Sequence, residues 1–157
     1  MRIEYVEYFV QAAYEITEEL TGAQPSCGPT ALREKLVTTQ QISIVAGITG
    51  KILGQAIYGM SIDTATNLAS ALIGERLTEL DAAGTIALAE FADTITVRGA
   101  EGLSRTGFTC DTAPPSVLRG TNIEMSMYFP ILVVPINTTC GEIEITVSLG
   151  EVGQKAA

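Results

Sequence analysis

Apolar residues recur three or four positions apart over two long stretches of the chain and at every second position over a third, which separates helices from strands. From Ile3 to Leu20 the stripe Tyr5, Val6, Phe9, Val10, Ala13, Ile16 and Leu20 predicts a first helix. Gly22, Pro25, Gly28 and Pro29 end it and open a loop. Leu36 to Thr49 and Lys51 to Met60 are rich in β-branched residues, meet at Gly50, and read as a long hairpin. Ser61 is placed to cap a helix through Ile73, with Gly74 at its end. A linker over 75–80 then leads to the longest helical pattern.

That pattern opens at Asp81, an N-cap residue, and runs past Arg98 toward Arg105, although Gly99 and Gly102 weaken it. Leu80, Ala83, Gly84, Ala87, Leu88, Phe91 and Ile95 form its expected buried stripe, with Ala82, Thr85, Ala89, Ala92 and Thr96 behind. Further on, a short strand is expected over 107–111, a bend at Pro114-Pro115, and a β-rich region over 123–136 broken or edged by Pro130 and Pro135. In Glu142 to Leu149 strict alternation, with Ile143, Ile145, Val147 and Leu149 on one side, predicts a half-buried strand. Helix, proline-bearing loop and hairpin thus occur twice. The fold class is α+β, a mostly antiparallel sheet of two pseudo-repeated helix–hairpin halves with long helices packed on it. One domain is expected over 1–150, with a tail over 151–157.

Off the buried stripe of the long helix, Glu90 and Asp93 stand three apart, on neighbouring turns of one face. No Lys or Arg balances them. Ile86 and Val97 line up with them instead, beside Ala89. Two readings follow: surface acids on a moderately hydrophobic helix, or a docking face with a carboxylate pair at its centre.

Composition narrows the chemistry. Net charge is −9 and the nine Lys and Arg are scattered singly, which argues against nucleic acid and anionic membranes and favours a partner presenting a basic group. No apolar run suits a membrane span, and the early acids exclude a secretory signal, so a cytoplasmic location is expected. The chain has no His, which removes the commonest general base and most zinc or iron sites. The three cysteines, Cys27, Cys110 and Cys140, have no metal or redox spacing and are expected to be reduced and mostly buried. Glu142 and Glu144 read as a solvated strand face, and Pro114-Pro115 as a structural bend.

Three segments, in order, carry a family resemblance. They are Gly47-Ile48-Thr49-Gly50 with Gly54-Gln55-Ala56-Ile57-Tyr58, then Leu88-Ala89-Glu90-Phe91-Ala92-Asp93, then Thr112-Ala113-Pro114-Pro115-Ser116-Val117-Leu118-Arg119-Gly120. Together they resemble the CheX branch of the CheC/CheX/FliY chemotaxis phosphatases. The resemblance implies a CheC-like fold and a homodimer joined through a sheet edge. It implies removal of the phosphoryl group from the aspartyl-phosphate of a CheY-like receiver domain. In that family a signature Glu meets the receiver's active-site lysine, and an Asn three residues later positions the attacking water. Glu90 matches the first and Asp93 stands at the second, with Ile86, Ala89 and Val97 as partner-binding neighbours. The chain would need no cofactor of its own, because the receiver carries Mg2+.

Asp93 departs from the family pattern. An amide both donates and accepts, whereas an ionised carboxylate only accepts. It also brings a negative charge toward an anionic phosphoryl group, a repulsion of about 4 kcal/mol at 4 Å and an effective dielectric of 20. Three functions stay open: an active phosphatase, a receiver-binding adaptor that has lost turnover, and a structural module related to the flagellar switch.

Overall fold

In the computed structural model, which describes residues 3–152, the chain runs through helices and strands in this order. Helix α1 (Ile3–Thr21) precedes three short strands, β1 (Ser26–Cys27), β2 (Ala31–Arg33) and β3 (Leu36–Val37). The hairpin β4 (Ile42–Gly50) and β5 (Ile52–Met60) leads to α2 (Ile62–Ile73) and α3 (Ala82–Arg105). Three more short strands follow, β6 (Cys110–Thr112), β7 (Ser116–Arg119) and β8 (Glu124–Met125), then the hairpin β9 (Ile131–Thr138) and β10 (Gly141–Glu151).

Eight strands form one sheet in the order β1-β9-β10-β5-β4-β6, with β2 also on β9 and β7 also on β4. Every pairing is antiparallel, and β5 meets β10 at the centre. The two halves are interlocked. Strands β1 and β2, after α1, pair with β9 of the second half, and β6 and β7, after α3, pair with β4 of the first. The repeat expected from sequence is therefore present, but each half lends its outer strands to the other. Helix α2 has no counterpart among the described residues.

All three helices pack on one sheet face, where Phe9, Leu68, Leu88 and Ile95 meet Ile44, Tyr58, Ile145 and Val147 in the main core. The other face is covered in part by a separate two-stranded sheet of β3 and β8. Leu36, Ile57, Ile131 and Val133 form a second, smaller core there. Consequently β10 is not half-buried beyond Glu144: Thr146 and Ser148 are buried too, and Ser148 Oγ donates to the Phe129 carbonyl at 2.7 Å.

Several expected boundaries shift. The arm expected over 36–49 splits because the polar run Thr38 to Gln41 turns away. Thr38 exchanges backbone hydrogen bonds with Asn122 and Ile123, and its hydroxyl accepts from Ile123 N. The region expected over 123–136 divides for the complementary reason, since Glu124 and Met125 pair with Val37 and Leu36. The strand expected over 107–111 lies at Cys110–Thr112. Strand β10 continues through Glu151, opposite Ile52, rather than ending at Leu149; the expected tail from 153 onward lies outside the described residues. Pro135 does not break β9. Its outer neighbour changes there from β2 to β1, so the missing N–H falls where no outer partner requires it. Cys110 is buried and Cys140 half-buried, but Cys27 is exposed, because β1 is an outermost strand. Burial pushes the thiols of Cys110 and Cys140 up from the usual cysteine value. No helix among the described residues is long and apolar enough to cross a membrane.

The two glycines that weaken α3 as a helix let α1 come close. A Cβ at Gly99 would enter the ring of Phe9, and one at Gly102 the ring of Tyr8. Phe9 is fully buried and cannot withdraw. Gly99→Ala gains about 1 kcal/mol of helix propensity and loses about 1–3 kcal/mol to overpacking. The expected result is a net loss of stability, read as a lower urea midpoint at unchanged slope.

Candidate functional site: the outer ridge of the long helix

Helix α3 is held at its start and across its length. Asp81 caps it, its side chain accepting from Gly84 N at 2.8 Å, and Arg119 of β7 donates to the Leu80 carbonyl at 2.6 Å and to Thr85 Oγ1 at 3.2 Å. Its inner side rests on β4, β6 and β7, with α1 and α2 alongside. Ser61 and Gly74 cap α2 as expected, the glycine adopting a left-handed φ of 83°.

The buried arc of α3 is turned relative to the expected stripe. Leu88, Phe91 and Ile95 are inside as predicted, but so are Ala92 and Thr96, expected behind, while Ala83 is exposed and Ala87 half-buried. On the inner side Thr96 is met by Tyr58 of β5, whose phenol lies 2.7 Å from its Oγ1 in the core. A tyrosine in an otherwise apolar buried strand must find a polar partner. That signal, unused from sequence alone, could have located Thr96 on the inner side.

The structure leaves Glu90 exposed and Asp93 half-buried on the outward ridge. Ile86 is 61% exposed and Val97 36%, and Ala89 is half-buried beside them. Three residues of helix separate the acids by about 4.5 Å along the axis and about 60° around it. Neither carboxylate has a hydrogen-bond or ion-pair partner among the described residues. The next cation along the helix, Arg98, is already engaged with Glu15 and Glu19 of α1, at 3.4 and 3.6 Å.

The ridge is convex. The broader concavities lie elsewhere, one beside α2 and the linker to α3, another between α1 and β9, and neither includes Glu90 or Asp93. No cluster of three acids or cysteines suited to a metal occurs among the described residues. Two unpaired carboxylates on a ridge with exposed Ile and Val cannot enclose a small substrate. They suit entry into a pocket on another molecule that supplies the cation, since desolvating unpaired carboxylates is costly.

Interlocked helix–hairpin halves with helices on one face define the CheC-like class of α+β domain. The backbone superposes on a chemotaxis protein CheX from Desulfovibrio desulfuricans with a TM-score of 0.82, at 25% identity, over 94% of this chain and 99% of that one. It superposes on one chain of the crystal structure of the CheX–CheY–BeF3–Mg2+ complex from Borrelia burgdorferi with a TM-score of 0.80, at 26% identity, over 96% of this chain and 100% of that one. The CheY-P phosphatase CheX of Thermotoga maritima is 28% identical over 133 residues, 84% of this chain and 86% of the relative. The family model for the chemotaxis phosphatase CheX matches residues 42–147. The chain belongs to the CheX family.

Because both acids stand outside the packing, removing them should leave the fold alone. Glu90→Ala and Asp93→Ala are expected to change unfolding free energy by no more than about 0.5 kcal/mol. Asp81→Ala, which removes the cap, should cost about 1 kcal/mol. Urea denaturation of the three variants makes the comparison.

Proposed function

We propose that the protein is a phosphatase for the aspartyl-phosphate of a CheY-type receiver domain. The observation that carries this reading is the unpaired carboxylate pair on a convex helical ridge of a CheX-family fold. A ridge of that kind needs the partner to bring the pocket, the metal and the leaving group. A CheX relative acts as a CheY-P phosphatase, and another has been crystallised with CheY, BeF3 and Mg2+, which supports a receiver that carries the ion. In this reading Glu90 pairs with the receiver's active-site lysine. Asp93 faces the phosphoryl group and positions the attacking water by accepting a hydrogen bond from it. Ile86, Ala89 and Val97 pack around the rim of the receiver's pocket. The soluble receiver sets the work in the cytoplasm, and the open sheet edges at β2 and β7 are where two copies of the chain would pair.

The carboxylate of Asp93 favours a second reading, a receiver-binding adaptor without turnover. The two separate in one assay, loss of phosphate from a phosphorylated receiver in Mg2+ with and without the protein. Acceleration over spontaneous decay is expected for the phosphatase; tight binding at the spontaneous rate would make it an adaptor. Glu90→Ala should weaken receiver binding by about 2 kcal/mol, because a lysine would be left buried and unpaired. Asp93→Asn is expected to raise turnover about tenfold or more by removing like-charge repulsion, with little change in affinity. Titration with a BeF3-activated receiver checks the affinities.

A further inference from the structure

The turn of α3 that bears Asp93 is tied to the sheet by a short chain of buried hydrogen bonds. Thr96 Oγ1 donates to the Ala92 carbonyl at 2.8 Å, which uses its only proton. Its 2.7 Å contact with Tyr58 is therefore a bond in which the phenol donates. Tyr58 is 2% exposed and Thr96 fully buried. Burial pushes the phenol well above its ordinary value and the negative charge of Asp93 adds to this, so the donor stays protonated. Tyr58 lies on β5, between β10 and β4, the best-paired position in the sheet.

Around this bond Leu88, Phe91, Ile95 and Leu103 pack into the core, Gly99 and Gly102 lie against Phe9 and Tyr8, and Arg98 pairs with Glu15 and Glu19 on the outer flank. The packing contacts are apolar and have no direction of their own, so the Tyr58–Thr96 bond adds a directional tie to the sheet at this turn. The bonds from Arg119 act at the start of the helix, more than a full turn before Glu90. Side chains on a helix reach about 5–6 Å from its axis, so a rotation of about 20° would carry a carboxylate about 2 Å. A misplacement of about 1 Å in a reacting group can cost about a hundredfold in rate.

We propose that Tyr58, acting through Thr96, is a positioning residue that fixes the turn of α3 bearing Asp93 on the sheet and so the direction in which Asp93 projects. As a statement about turnover it rests on the phosphatase reading above. The test uses Tyr58→Phe, which removes only the donor, and Thr96→Val, which keeps the shape but not the hydroxyl, with Thr96→Ser as the conservative control. Each is assayed with a CheY-type receiver phosphorylated in Mg2+, and its affinity is measured for the BeF3-activated receiver. Tyr58→Phe and Thr96→Val should lower kcat about tenfold while KM and affinity stay within about twofold, and Thr96→Ser should keep the wild-type rate within about twofold. Wild-type turnover in folded Tyr58→Phe and Thr96→Val, or a Thr96→Ser rate as low as that of Thr96→Val, overturns the proposal. If the wild-type protein does not accelerate dephosphorylation, the phosphatase reading fails by itself. The positioning role is then decided by amide exchange in the free protein. Amides from Asp93 to Val97 should exchange about tenfold faster in Tyr58→Phe while those from Ala100 to Leu103 hold, and an unchanged pattern removes the proposal.

Discussion

The antiparallel pairing of β5 with β10, from Ile52–Glu151 to Gly59–Glu144, is the constraint on which the rest of the molecule depends. It joins two hairpins that are adjacent in space and far apart in sequence, and creates a face wide enough for three helices. Without that seam each hairpin would be a two-stranded ribbon, marginal by itself in water. With it, Tyr58 and Ile145 lie opposite each other beneath the helices, and α3 has a rigid floor. The inward side of α3 rests on β4, which pairs with β5, and on β6 and β7, which pair with β4.

The site follows from how little surrounds it. Helix α1 is drawn close by Gly99 and Gly102, and β7 is fastened to the start of α3 by Arg119, so both flanks are held down. The middle of the outer face is left standing clear. Exposed carboxylates there cost the folded protein little while they remain hydrated. In the proposed function their chemistry begins only when a partner excludes water and offers a counter-charge. This division of labour fits a chain without His and with no metal cluster among the described residues.

Much of this was legible in the sequence because it rested on long periodic patterns or on caps with a local mechanism. Ser61, Gly74 and Asp81 bound their helices as read, and the main hairpins and the helix carrying Glu90 were found from spacing alone. The outer strands were not, since two or three residues carry no period, and nothing local to Ser26 or Cys110 names a partner in the other half. Burial of Thr146 and Ser148 was also hidden. Thr146 lies under the segment Leu36 to Thr38 and Ser148 under Phe129, both remote from β10 in sequence. The positions of Glu90 and Asp93 could be read; the rotation of their helix could not, because contacts such as that of Tyr58 with Thr96 join residues remote in sequence.

The exchange of outer strands between halves has a kinetic consequence. Strands β1 and β2 are made before their sheet partner among the described residues, β9, which lies roughly a hundred residues downstream. Closing so long a loop is entropically slow, and non-local strand pairing of this sort sets the pace of folding. During synthesis β6 and β7 can close the border at β4 first, whereas β1 and β2 stay unpaired until β9 has left the ribosome.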